Sequence, residues 1–163
     1  MNNFILVKDD LFDNATCDSI INYFNKTKPV EDKYYNIVYE APVFKEEKLQ
    51  ELFDNYFKTF PETGYIVDNL SLKELRIKQF KDDKFFSPWH HETNLENCHR
   101  VLAMMVYLSN HNCGTEFMSG EIIKSKKGRA IMFPAYFTHT HRGQRCPENK
   151  DRYIYGGYFH HIK

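Results

Sequence analysis

The spacing of apolar positions changes about halfway along this chain. Early on they recur at helical intervals; later they fall into short runs separated by glycine, proline and polar turns. Residues 4–7 form an apolar run that predicts a strand. Asp13-Asn14 then offers an N-cap ahead of Cys17, Ile20, Ile21 and Phe24, which share a helical face. A strand is predicted over 34–39 and a second helix over 46–60, where Leu49, Leu52, Phe53, Tyr56 and Phe57 lie along one side before Pro61 and Gly64 stop it. Beyond this, 75–80, 89–92, 100–108, 115–118, 121–124, 130–133 and 152–160 read as successive strands, punctuated by Gly114, Gly120, Gly128 and Pro134. The pattern predicts a mainly β protein with flanking helices, in which two sheets face each other as a barrel and the helices back one of them.

The 163 residues fit one domain spanning 1–163, with a β-α-β-α segment over about 1–73 packing on a strand-rich core over about 74–163. The apolar share is 42%, and its 14 Phe and 11 Tyr against a single Trp suit pleated surfaces, which supports the sheet reading. Twenty-two basic and 22 acidic residues cancel, and no long basic run stands out, which argues against a nucleic-acid partner held through its phosphates. Cys17, Cys98, Cys113 and Cys146 form no C-x-x-C pair and no even ladder, so the expectation is four reduced thiols in a cytoplasmic protein. The apolar run at the start is cut short by Lys8, Asp9 and Asp10, too soon for a signal or membrane segment.

Candidate chemistry begins at His90-x-Glu92. On a strand, residues two apart share a face, so both side chains can point into a barrel. Two imidazoles and a carboxylate hold a ferrous ion on one side and leave the other open, so a third ligand is needed. Alone, the pair is weak, because a chain with eight histidines and 22 carboxylates contains about one H-x-[DE] by chance. The chain order after it adds weight. His139-Thr140-His141 follows the run ending at Phe133-Pro134, and Arg152 opens the last strand. A buried guanidinium keeps its charge and grips a carboxylate with two parallel hydrogen bonds.

Taken together, these motifs resemble the prolyl 4-hydroxylase-like branch of the Fe(II)- and 2-oxoglutarate-dependent dioxygenases. The resemblance covers most of the chain and is strongest from Leu75 to Phe159. It is carried by Trp89-His90-His91-Glu92, by Arg100 through Tyr107-Leu108, by Cys113-Gly114-Thr115-Glu116-Phe117, by Lys127-Gly128-Arg129, by Ile131-Met132-Phe133-Pro134, by His141-Arg142-Gly143 and by Arg152-Tyr153. It implies a double-stranded β-helix core of the jelly-roll, cupin-like kind. It also implies iron ligands at His90, Glu92 and His141, 2-oxoglutarate as co-substrate held by Arg152 and Tyr107, O₂ as oxidant, and ascorbate as a candidate auxiliary reductant. The family's distal histidine precedes its basic anchor by about ten residues. His141 lies eleven before Arg152 and His139 thirteen, which favours His141 and leaves His139 as a neighbour that orients water, substrate or the loop. Gly143 is expected to turn the chain away from the metal.

The sequence departs from the family in three places. The Gly114-Thr115 turn is one residue short, Glu92 stands where most relatives have Asp, and Phe80 stands where many have a tyrosine facing the co-substrate, a contact that Gln79 could replace. His91 is expected at the surface or on the substrate side and His99 and His111 in solvated loops, while His160 and His161 have no ligand spacing. The resemblance implies hydroxylation with release of succinate and CO₂, since halogenation needs the position that Glu92 fills. Prolyl residues of a peptide lead as substrate. A free amino acid, a nucleobase, or a non-catalytic metal-binding β barrel are the alternatives.

Overall fold

In the computed structural model, described for residues 3–65 and 69–162, the strands and helices run β1 (Leu6–Lys8), α1 (Asn14–Lys26), β2 (Val30–Glu31), β3 (Asn36–Val38), α2 (Glu46–Thr59), β4 (Leu70–Phe80), β5 (Arg100–Tyr107), β6 (Gly114–Phe117), β7 (Ile122–Lys124), β8 (Ala130–Pro134), β9 (His141–Gly143) and β10 (Arg152–His161). Seven strands form one sheet in the order β1-β8-β5-β10-β4-β3-β2, and β7-β6-β9 form a second. Every strand pairing is antiparallel. This is a jelly-roll core with helices flanking the larger sheet. No described helix is long and apolar enough to cross a membrane.

Both predicted helices form for the reasons their sequences gave. Asp13 Oδ1 accepts from the Thr16 amide at 2.7 Å and caps α1, whose Cys17, Ile20 and Phe24 are buried. In α2 the buried positions are Leu49, Leu52 and Tyr56. Strand alternation divides the core into two layers. Leu102, Met104 and Val106 of β5 join Tyr153, Tyr155 and Phe159 of β10 in a cluster with Ile20, Phe24, Leu52 and Tyr56 of the helices. Their neighbours Ala103, Tyr107 and Tyr158 point the other way and meet Ile131, Phe133 and Phe117 between the sheets. Gly128 closes the β-turn before β8 at φ +82°, and a Cβ there would stand 2.1 Å from the Phe12 carbonyl oxygen.

Three local expectations change. Residues 89–92 form no strand, only an isolated bridge between His90 and His141. Pro88 lacks an amide to extend the pairing, and past Glu92 the Asn94 side chain accepts from the amides of Glu96 and Asn97, both at 2.9 Å, bending the chain into a turn. The first strand starts later than residue 4, because Phe4 adopts φ 53°, and it enters the sheet with Leu6 opposite Met132. Finally, Cys113 and Cys146 are joined in a disulfide with Cα atoms 4.9 Å apart, so the expectation of four reduced thiols is corrected. The bond links residues 33 apart, which the fold brings together where sequence spacing carries no framework. Cys17 and Cys98 are free.

Candidate active site

The bridge between His90 and His141 does what a strand at 89–92 was expected to do. The amide of each residue donates to the carbonyl of the other, at 3.0 and 2.8 Å, and this places their rings 4.3 Å apart at the mouth between the two sheets. Glu92 is brought to the same point by its amide, which donates to the Ala135 carbonyl at 2.9 Å. Its Oε1 then lies 3.5 Å from His90 Nε2 and 3.3 Å from His141 Nε2. His90 Nδ1 faces the Pro88 carbonyl at 3.1 Å and His141 Nδ1 faces the His139 carbonyl at 2.9 Å. A carbonyl can only accept, so each Nδ1 carries a proton, and this fixes each ring with its Nε2 turned toward Glu92. Two imidazole nitrogens and a carboxylate oxygen thus converge as a set that could hold a metal ion.

Glu92 is held from behind. Tyr158 donates to its Oε2 at 2.6 Å, and Arg100 Nη1 donates to its backbone carbonyl at 3.1 Å while its guanidinium lies over the Tyr158 ring at 3.9 Å. Burial alone would raise the Glu92 carboxyl, but hydrogen bonds from His141 and His90 outweigh it and keep the group well below the usual carboxylate range. Burial and then the Glu92 charge push the Tyr158 phenol well above its ordinary value, so it stays a donor. Arg100 also ion-pairs with Glu74, which Arg76 contacts at 2.7 Å.

The cavity beside this cluster is lined by Phe80, Phe86, Thr115, Ile154 and Arg152 among others. Arg152 is 2% exposed. Its Nη1 donates to Cys113 Sγ at 3.3 Å and to the Gly114 carbonyl at 3.4 Å, its guanidinium lies over the Phe80 ring at 4.7 Å, and its Nε has no partner. No carboxylate of the described residues pairs with it. A buried cation left without an anion is costly, and the cavity gives an anion room to approach it. The donor set and this guanidinium together fit a ferrous ion and a dicarboxylate.

Tyr107 is fully buried and its hydroxyl donates to Thr115 Oγ1 at 2.7 Å, so Thr115 is the member of that pair on the cavity wall. Gln79 points to the opposite face of β4, where its amide nitrogen donates to Asp151 and Tyr153, both at 2.8 Å, and it does not replace the hydroxyl that Phe80 lacks. His139 has both nitrogens engaged, Nε2 with the Asn3 carbonyl at 2.7 Å and Nδ1 with Thr138 Oγ1 at 2.9 Å. Gly143 does not turn the chain; its φ is not positive, and instead it lets the Phe86 backbone and Arg152 Nη2 come within 3.3 and 3.4 Å of where a Cβ would sit. His91 is exposed as expected, but His111 is buried rather than solvated.

Sequence reasoning missed Tyr158, Arg100 and Lys78. Lys78 lines the cavity from β4, with its ammonium 4.6 Å from the Tyr35 ring centre. Its inward direction follows from the alternation that puts Leu75 and Ile77 against the helices, the one signal that could have found it.

The sequence profile described as the 2OG-Fe(II) oxygenase superfamily matches residues 75–160. No curated protein sequence matches the chain. Among solved structures, a viral collagen prolyl hydroxylase from Paramecium Bursaria Chlorella virus-1, in complex with 2OG, superposes with a TM-score of 0.78 at 18% identity, covering 98% of this chain and 97% of that one. A prolyl-4-hydroxylase from Pseudomonas putida gives 0.69 at 9% identity over 98% and 93% of the chains. A prolyl hydroxylase from Trichoplax adhaerens, in complex with a hypoxia inducible factor peptide fragment, gives 0.68 at 8% over 98% and 84%. At these identities the likeness is one of fold. The profile spans more than half of the chain and includes all three converging side chains, so the chain belongs to the 2OG-Fe(II) oxygenase superfamily and is a 2-oxoglutarate-dependent dioxygenase that works with Fe(II).

Proposed function

We propose that His90, Glu92 and His141 hold the ferrous ion, that Arg152 binds the far carboxylate of 2-oxoglutarate, and that the enzyme hydroxylates a prolyl residue in a peptide or protein, releasing succinate and CO₂. The observation that carries this reading is the buried guanidinium of Arg152, without an anion, facing the same cavity as the His-Glu-His cluster. Bound iron supplies the activation of O₂. The protein's own groups do the rest. Tyr158 and Arg100 orient Glu92, and the Nδ1 hydrogen bonds orient both imidazoles with Nε2 toward it. Phe80, Phe86 and Ile154 limit water around the reacting atoms. Tyr107 acts on the co-substrate through Thr115, which it orients.

A peptide substrate is supported by the neighbours in fold, three of which are prolyl hydroxylases, one of them with a peptide bound. A free amino acid is the second reading. It is favoured by Lys78, an ammonium on the cavity wall that has no carboxylate of the described residues in hydrogen-bond contact and could meet a substrate carboxylate. The test is a screen for the gain of one oxygen across proline-containing peptides, amino acids and nucleosides, with Fe(II), 2-oxoglutarate and O₂ supplied. Oxygen gain in a peptide at proline is expected. Gain confined to amino acids or nucleosides would overturn the substrate assignment, and absence of succinate in every reaction would overturn the catalytic one.

A further inference from the structure

A second set of ligand-type groups lies on the far side of Arg152, and none of its members lines the active-site cavity. A ring nitrogen of His111, the Cys146 sulfur and a carboxylate oxygen of Glu148 lie within 4.8 Å of one another, and Cys113, bonded to Cys146, adds a second sulfur. The four come as two short pairs, His111-x-Cys113 at the entry to β6 and Cys146-x-Glu148 in the loop before β10. His111 is only 8% exposed. Its Nε2 is taken by Ser109 Oγ at 2.9 Å, whereas its Nδ1 is buried without a partner. Glu148 Oε1 accepts from the Asn112 amide at 2.7 Å, whereas its Oε2 is buried without a partner. Two orphaned polar atoms beside a sulfur pair are expensive, and a cation coordinated between them would satisfy both.

We propose that in the dithiol form of this protein His111 Nδ1, the Cys113 and Cys146 thiolates and Glu148 Oε2 bind a zinc ion, and that the disulfide is the oxidised, metal-free form of the same site. Imidazole nitrogen, thiolate sulfur and carboxylate oxygen are all zinc ligands, and a structural zinc site closes with four protein donors. Two thiolates and a carboxylate overcompensate the ion's charge by one, and the Arg152 guanidinium, whose Nη1 is 3.3 Å from Cys113 Sγ, stands beside them. Conversion between the forms is balanced by thiol exchange. The two thiolates pass two electrons to a low-molecular-weight disulfide, the Cys113–Cys146 bond forms, two small thiolates leave, and the zinc returns to solvent.

Cobalt(II) is the probe, because a thiolate-bound cobalt has an intense near-ultraviolet charge-transfer band that a site of nitrogen and oxygen donors lacks. Added without oxygen to the full chain in a non-thiol reductant, it should give that band together with tetrahedral visible bands, and zinc should displace both. The band should survive His90→Ala, vanish in Cys146→Ser, and vanish when the protein is first oxidised with glutathione disulfide. His111→Ala, which keeps both thiols, should weaken cobalt binding at this site roughly tenfold or more. A reduced protein that shows no thiolate band, or one whose band persists in Cys146→Ser, would overturn the proposal. Neither result would touch the iron site, because cobalt at His90, Glu92 and His141 has no sulfur ligand.

Discussion

Arg152 shows how a single residue links sequence to chemistry. Its sequence position, at the head of the last strand, was legible; what the fold adds is that the guanidinium is buried, stacked on Phe80 and left without an anion. Replacing its fork with the point charge of Arg152→Lys removes the paired hydrogen bonds to a carboxylate. The expected loss is about 1.5 to 3 kcal/mol, or roughly 10- to 150-fold in the 2-oxoglutarate concentration for half-maximal succinate release. Unchanged half-saturation would remove Arg152 from the co-substrate site. Lys78 carries a different prediction. Burial pulls its pKa from 10.5 down to about 8, with the Glu92 charge working against that shift. The unfolded chain therefore binds more protons than the folded one between about pH 8 and 10.5, and stability attributable to this group rises with pH across that window. Lys78→Met should raise the melting temperature at pH 7, and the gain should shrink as pH passes from 8 to 10.5. A gain constant with pH would mean that packing, not charge burial, is responsible.

At the scale of elements, periodicity was a good guide wherever one face is buried against one partner. The α1 cap at Asp13 and the α2 stripe of Leu49, Leu52 and Tyr56 follow directly from spacing, and β4, β5, β8 and β10 from their apolar runs. Leu52, fully buried between α2 and the larger sheet, tests that packing: Leu52→Ala should cost about 2 to 5 kcal/mol in denaturant unfolding, the usual cost of a core cavity. A cost near zero would place α2 outside the folding core. The segment 89–92 was misread because strand-like alternation there serves the site rather than the sheet. Its backbone is fixed by hydrogen bonds to His141 and Ala135, contacts that lie far off in sequence and leave no local signal. The short β9 was missed for the same reason, since His141-Arg142-Gly143 has no apolar alternation and pairs only because β6 lies beside it.

Across the whole molecule, the three converging side chains come from two segments some fifty positions apart, and the order of motifs along the sequence pointed to the same three residues that the fold brings together. What supports them was not legible. Tyr158 and Arg100 reach Glu92 from β10 and β5, and only the pairing of those two strands shows that they meet. The choice between His139 and His141 also gains its physical reason only from the fold, which spends both His139 nitrogens on Asn3 and Thr138 while His141 keeps Nε2 turned toward Glu92. One measurement tests the account at its centre. Fe(II) and 2-oxoglutarate are added without oxygen, and the visible charge-transfer absorption of an iron-bound 2-oxo acid is followed in the wild type, His141→Ala and His139→Ala. The wild type and His139→Ala should develop the band and His141→Ala should not. A band that persists in His141→Ala, or is lost only in His139→Ala, would contradict the site described.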